Sequence, residues 1–165
     1  MYKFIDKILN EIEDCVHTNQ YKRIGSENIE LKNYGHKETV NWDSVMETVC
    51  SFLNSDNGIV IMGVNEDIKN QKYEVKGFNF DNENSLKEAL KLFKDDVGHS
   101  KDIMSRIHLE QKELLGQKLM IIYVDSLSND EKYVFYKEIA YERIMGGDEK
   151  ISNINLEKQK EYKAE

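Results

Sequence analysis

The sequence contains no proline and only two cysteines, Cys15 and Cys50. Without proline, the turns must be formed by Gly, Asn and Asp. Two cysteines exclude a zinc site built from cysteines within the chain, and both lie in helical patterns, as expected of reduced thiols in a cytoplasmic protein. No stretch approaches the roughly 20 apolar residues that span a bilayer, and the first residues do not resemble a secretory signal. We therefore expect no membrane partner.

The chain also has fewer basic than acidic residues. It contains 23 Lys and Arg and 31 Asp and Glu, which gives a formal net charge of −8. This balance argues mildly against a generic binder of the phosphate backbone, which is usually basic. A local basic patch, or an acidic site that reaches phosphates through a divalent metal, is compatible with an acidic chain. The length of 165 residues suits one domain with its own core.

The hydrophobic pattern predicts helices and strands without an internal repeat or linker. Apolar residues at three- and four-residue spacing predict helices over 2–18 and 42–53, and a third helix that is capped by Ser85 and extends to Val97. Strands are expected over 28–34, 58–64, 73–80, 102–115, 119–124, 133–136 and 139–144, with a loop at 65–67 and a turn at 146–148. We predict one domain over 1–154 and a charged tail over 155–165.

Two charged residues share one face of the first predicted strand. Glu30 and Lys32 are two residues apart, whereas Ile29 and Leu31 lie on the opposite face. A carboxylate beside an ammonium group can hold a metal or a phosphate. The same pair can equally be a solvated ion pair, and the pattern alone leaves both readings open.

A second candidate surface lies late in the chain, where basic and aromatic residues alternate. The basic residues are Lys132, Lys137, Arg143 and Lys150, and the aromatic ones are Tyr133, Phe135, Tyr136 and Tyr141. Such a mixture can stack bases and hold a nucleic-acid backbone. A half-exposed sheet shows the same pattern, and Arg143 can equally pair with a surface carboxylate.

The order of these motifs resembles the AlbA-like domain of Schlafen proteins. The resemblance rests on Ser-x-Asn-Ile-Glu-Leu-Lys at 26–32, on Ser-Phe-x-Asn-Ser-x-x-Gly-x-x-x-x-Gly-Val at 51–64, on a strand with Gly77, and on Ala-Tyr-x-Arg at 140–143. It covers about residues 5–152. It implies an α+β fold, with a mixed β-sheet flanked by helices, and a role on nucleic acids, RNA more than DNA.

Some Schlafen members are metal-dependent endoribonucleases that act on tRNA and other structured RNA through three acidic residues. The resemblance places one of these at Glu30, beside Lys32, and a second at Glu66 or Asp67 just past the second strand. These residues would be catalytic, and the three carboxylates would hold Mg²⁺ or Mn²⁺.

The third acidic residue of the family stands five positions before the strand glutamate, where this chain has Gly25. Glu27 in the same loop is a possible substitute ligand. The resemblance therefore implies either a metal-dependent endoribonuclease or a non-catalytic nucleic-acid-binding, regulatory or interaction module that lost the first carboxylate.

Schlafen nuclease cores join two AlbA-like halves around a positively charged cleft, so a lone copy implies a symmetric homodimer. The residues expected to bind nucleic acid are Lys32, Lys132, Lys137, Tyr141 and Arg143.

Overall fold

The computed structural model describes residues 4–34, 39–152 and 156. The helices are α1 (Ile5–Thr18), α2 (Trp42–Asn54) and α3 (Glu83–Ala89). The strands are β1 (Ile29–Lys32), β2 (Gly58–Met62), β3 (Val64–Asp67), β4 (Lys72–Val75), β5 (Ile107–Leu114), β6 (Gln117–Val124), β7 (Tyr141–Ile144) and β8 (Gly147–Lys150). The predicted tail lies outside the described residues apart from Leu156, as does part of the loop after β1.

Four strands form a mixed sheet in the order β1-β2-β6-β5, in which β1 runs parallel to β2 and the other pairs are antiparallel. Every residue of β2 is buried. Ile59 and Ile61 face the core that α1 covers, whereas Val60 and Met62 face the core under α2 and α3. The expected α+β fold with helices on a mixed sheet is therefore confirmed.

The two long helices form where the apolar spacing predicts them. The buried positions of α1 are Ile5, Ile8, Leu9 and Ile12. The side chain of Asn41 caps α2 by accepting a hydrogen bond from the backbone N–H of Ser44 at 3.2 Å. None of the helices in the described part of the chain is long and apolar enough to cross a membrane.

The chain leaves the main sheet at Gly63. This residue has φ +113°, and a Cβ there would lie 2.6 Å from the carbonyl carbon of Gly77, so only glycine fits. The chain then continues as β3, which pairs with β4 in a separate hairpin. The prediction of a loop over 65–67 was therefore wrong. The predicted strand over 73–80 was too long, because it ends at Val75 before the positive φ of Gly77.

The third helix is shorter than predicted. It begins at Glu83, directly after a 3₁₀ turn over Phe80–Asn82, and ends at Ala89, so neither the cap at Ser85 nor the extension to Val97 is correct. Beyond the helix, Lys94 pairs with Phe135, and Asp95 accepts hydrogen bonds from the backbone N–H groups of Val97 and His99, so this stretch is a turn. Val97 is consequently exposed rather than part of the core.

The late strands also differ from the prediction. A 3₁₀ turn over Met104–Arg106 delays β5 until Ile107. Within 133–136, Phe135 and Tyr136 form isolated bridges instead of a strand, and the strand predicted over 139–144 begins at Tyr141. The last hairpin turns at Met145 and Gly146, both with positive φ, so Asp148 lies on β8 and not in the turn.

Candidate functional site

A polar pocket lies between β1, β3 and the β7–β8 hairpin, with a cavity volume of about 180 Å³. It brings together Glu30, Glu66 and Arg143, three of the residues that the sequence singled out. The other lining residues are Arg23, Gly25, Ser26, Ile29, Leu31, Asn33, Asn65, Ile68 and Gly146. The pocket exists because β3 diverges from the main sheet at Gly63 and leaves a space beside β1.

Arg143 is buried at this pocket, with 3% of its side chain exposed. Its guanidinium donates to a carboxylate oxygen of Glu30 at 2.7 Å and to Asp148 at 2.9 Å. The same group donates to the backbone carbonyls of Ser26 at 2.9 Å and Glu27 at 3.0 Å, and it lies 5.0 Å from the ring centroid of Phe52. The structure thus places Arg143 inside the protein and not on an open binding surface.

Asp148 extends this network into α2. Its two carboxylate oxygens accept hydrogen bonds from Thr48 at 2.5 Å and from Ser51 at 2.8 Å. Both of these helix residues are fully buried. Sequence reasoning missed this group, although two polar residues three positions apart on a buried helix face indicate a buried polar partner.

Glu30 lies between two cations. Oε1 of Glu30 is 3.9 Å from Nζ of Lys32, as the shared strand face predicts, and Oε2 accepts the hydrogen bond from Arg143. Lys32 also donates a hydrogen bond to the hydroxyl of Ser44 at 2.9 Å. The Glu30 carboxylate is therefore neutralised by the protein itself.

Glu66 is held by two tyrosines from outside β3. Tyr21 donates a hydrogen bond to Oε2 of Glu66, and the hydroxyl of Tyr73 lies 3.1 Å from the same oxygen. The Tyr73 hydroxyl also lies 2.7 Å from the carbonyl of Lys22 and accepts from the N–H of Ile24. Burial, together with the charge of Glu66, raises the pKa of both phenols, so they remain donors.

Asp67 and Glu27 have partners of their own. Asp67 accepts hydrogen bonds from the backbone and side-chain nitrogens of Asn70, which hold the pKa of its carboxyl below the usual value. Glu27 accepts from the backbone N–H of Gly146 at 2.9 Å. Neither side chain lines the pocket that contains Glu30 and Glu66.

The residues present do not fit a divalent metal centre. Among residues 4–34, 39–152 and 156, no three His, Cys, Asp or Glu side chains are close enough together to hold an ion. Two cations already face Glu30, and they would repel a metal there. The position of the missing carboxylate does face the site, because a Cβ on Gly25 would lie 3.1 Å from Oε1 of Glu66.

The other residues that were predicted to bind nucleic acid do not form one basic patch. Lys132 pairs with Asp96 at 3.6 Å, and Lys137 pairs with Asp43 at 2.8 Å. Tyr141 is buried and donates a hydrogen bond to Glu47 at 3.1 Å. Burial and the Glu47 charge raise the pKa of Tyr141 to about 12.

The mixed sheet, the helices on its two faces and the polar pocket beside β1 define a small α+β domain of the AlbA-like class. The chain belongs to the family described as "Schlafen, AlbA_2", whose model matches residues 25–152. No curated protein matches the chain significantly.

Two solved structures share the fold. One is the N-terminal domain of a putative ATP-dependent DNA helicase RecG-related protein from Nitrosomonas europaea, with 21% identity, a TM-score of 0.53, and coverage of 88% of this chain and 92% of that one. The other is the DIP2311 protein from Corynebacterium diphtheriae, with 14% identity and a TM-score of 0.56. That match covers 98% of this chain but only 28% of the other. At these identities the likeness concerns the fold alone.

Proposed function

We propose that this chain is a nucleic-acid-binding module of the Schlafen AlbA_2 family that binds RNA in preference to DNA without metal-dependent cleavage. Membership of the family supports the nucleic-acid role. The ion pair between Glu30 and the buried Arg143 is the observation that carries the non-catalytic part. A carboxylate that is already paired with a buried cationic side chain is a poor ligand for a metal ion.

The pocket rim supplies a contact for the backbone of a strand. Arg23 lines the pocket and is exposed, and Lys69 is exposed at the tip of the β3–β4 hairpin next to Ile68. Basic side chains at such positions bind phosphates and make the affinity depend on salt. A few local cations of this kind are compatible with an acidic chain.

The test combines binding and cleavage in one set of samples. A labelled tRNA pool, a single-stranded RNA and a DNA of the same sequence are incubated with the protein in Mg²⁺, Mn²⁺ or EDTA. We expect intact RNA in all three buffers and a gel shift that weakens as salt increases. Arg23→Gln should weaken the shift several-fold, whereas Lys87→Gln, an exposed change on α3 outside the pocket, should not.

Two outcomes would contradict the proposal. Metal-dependent fragments that disappear in Glu30→Gln would establish the family's endoribonuclease activity and show that Gly25 is tolerated. Intact RNA with no shift at low salt would remove the nucleic-acid role and leave a protein-interaction module.

A symmetric homodimer is part of the same proposal. β5 is an outer strand of the sheet, so its outer edge offers backbone N–H and C=O groups to another strand. When two copies pair antiparallel about Gln111, Glu110 of each copy faces Lys112 of the other. Light scattering should then give twice the chain mass of 19.4 kDa. Lys112→Glu should dissociate the dimer and an added Glu110→Lys should restore it, whereas a monomer mass at every concentration excludes the dimer.

A further inference from the structure

One oxygen of Glu66 faces the pocket without a donor from the described residues. The tyrosine contacts all involve Oε2, and they fix the orientation of the carboxylate. Oε1 lies on the side of Gly25, where the absence of a side chain leaves it accessible. A fixed carboxylate oxygen at the wall of a small pocket is a strong hydrogen-bond acceptor for a ligand.

A second acceptor belongs to the same pocket. Oδ1 of Asn33 is buried and has no hydrogen-bond partner in the described part of the chain, and Asn33 lines the pocket with Glu66. A buried amide oxygen without a donor is uncommon in native proteins, so Asn33 marks an unsatisfied acceptor behind the pocket wall. Oε1 of Glu66, the accessible acceptor of the two, therefore favours a ligand that donates hydrogen bonds.

We propose that this pocket binds one unpaired nucleobase through its exocyclic amino group. The inference rests on the proposed function, since it assigns the site at which a bound strand is read. Adenine, cytosine and guanine carry an amino group on the base edge, whereas uracil and thymine carry a carbonyl oxygen at the position of the cytosine amino group. Glu66 accepts from the amino group, whereas the one edge N–H of uracil, at position 3, is flanked by two carbonyl oxygens that the carboxylate repels.

The size and rim of the pocket suit a single base. A volume of about 180 Å³ is smaller than the roughly 300–1,000 Å³ of sites for drug-sized ligands. Ile68 lines the pocket and is 55% exposed, so it offers an apolar surface to the face of a base. Arg23 lies on the same rim, where it can pair with the adjoining phosphate.

Oligo(C) and oligo(U) RNA of equal length test this, because cytosine has an amino donor at position 4 and an acceptor at N3, whereas uracil has a carbonyl at position 4 and an N–H at position 3. We expect the wild-type protein to bind oligo(C) about tenfold more tightly than oligo(U) in fluorescence anisotropy. Gly25→Ala puts a methyl group against Oε1 of Glu66, and it should reduce this ratio to about one while binding to oligo(U) is retained. Gly147→Ala, whose Cβ makes only an ordinary 3.6 Å contact outside the pocket, is the matched control.

Glu66→Gln gives a second, independent readout. The Tyr21 hydroxyl donates to Oε2, so it should keep the amide oxygen on its side, and the NH₂ group then replaces Oε1 and faces the pocket as a donor. The preference should then shift toward oligo(U), whose carbonyl accepts. Thermal unfolding of each variant confirms that it is folded before the ratios are compared.

The two levels of the proposal fail differently. If neither oligonucleotide binds at low salt, the proposed function is wrong. If both bind equally well, and neither Gly25→Ala nor Glu66→Gln changes the ratio, the strand is bound elsewhere and the base pocket is wrong while the proposed function stands.

Discussion

Replacing Arg143 by methionine tests whether this residue is an internal cation or a surface ligand. Methionine retains a similar apolar stem but removes the charge and every donor of the guanidinium. Glu30 and Asp148 would lose their ion pairs at 2.7 and 2.9 Å, and two backbone carbonyls would lose a donor. A surface ligand would show none of these losses.

The expected cost follows from the burial of the pair. Removing one partner of a buried ion pair destabilises a protein by about 3–5 kcal/mol, because it leaves the other charge uncompensated. For a domain of this length, 1 kcal/mol corresponds to about 2–4 °C in Tm. We therefore expect Arg143→Met to lower Tm by about 6–20 °C.

Circular dichroism during heating and urea denaturation measure this loss. Lys137→Met is the matched control, because its pair with Asp43 is largely exposed at 64% and 49% and should contribute about 1 kcal/mol or less. Adding Glu30→Gln and Asp148→Asn to Arg143→Met should recover part of the stability by removing the unpaired charges. An Arg143→Met protein as stable as the Lys137→Met control would refute the reasoning.

Two further predictions concern a glycine corner and an acidic group. Gly63→Ala should destabilise the protein by about 3 kcal/mol or more in urea denaturation, because its Cβ meets the backbone of Gly77. Gly98 also has a positive φ but lies in open space, so Gly98→Ala should cost only about 1–2 kcal/mol. Equal losses at the two positions would show that backbone strain alone matters. Hydrogen bonds from Ser128 and the charge of Arg106 hold the pKa of Glu131 below its usual value, so its stabilising effect should be present at neutral pH and lost as pH falls through the lowered pKa. The Tm difference between the wild type and Glu131→Gln should therefore shrink as the pH falls below about 5, and a constant difference would contradict this assignment.

The sequence predicts the elements whose apolar pattern is local. The stripes of α1 and α2 and the buried strand β2 depend on residues within a few positions of one another. The pairing of Glu30 with Lys32 belongs to the same class, because alternation along one strand is sufficient to predict it.

The site itself depends on contacts that no local pattern records. Arg143 meets Glu30 across 113 positions, and Thr48 meets Asp148 across 100. The exit of the chain from the sheet at Gly63 was also missed, because the apolar run continues through Val64 while the hydrogen-bonded partner changes. Periodicity indicates which face of a strand is buried, but it does not indicate which strand lies beside it.

Because the chain leaves the main sheet at Gly63, the residue pairing of the β3–β4 hairpin is independent of the pairing in the main sheet. Its ladder runs from Val64–Val75 to Asp67–Lys72, and within the described residues it shares no ladder with the main sheet, although Val64 and Tyr73 pack into the core that Ile59 and Ile61 face. An insertion or deletion at the hairpin tip therefore shifts no residue pair of β1, β2, β6 or β5. A change at the tip, beside Ile68, would therefore reshape one wall of the pocket while the register of the main sheet stays unchanged.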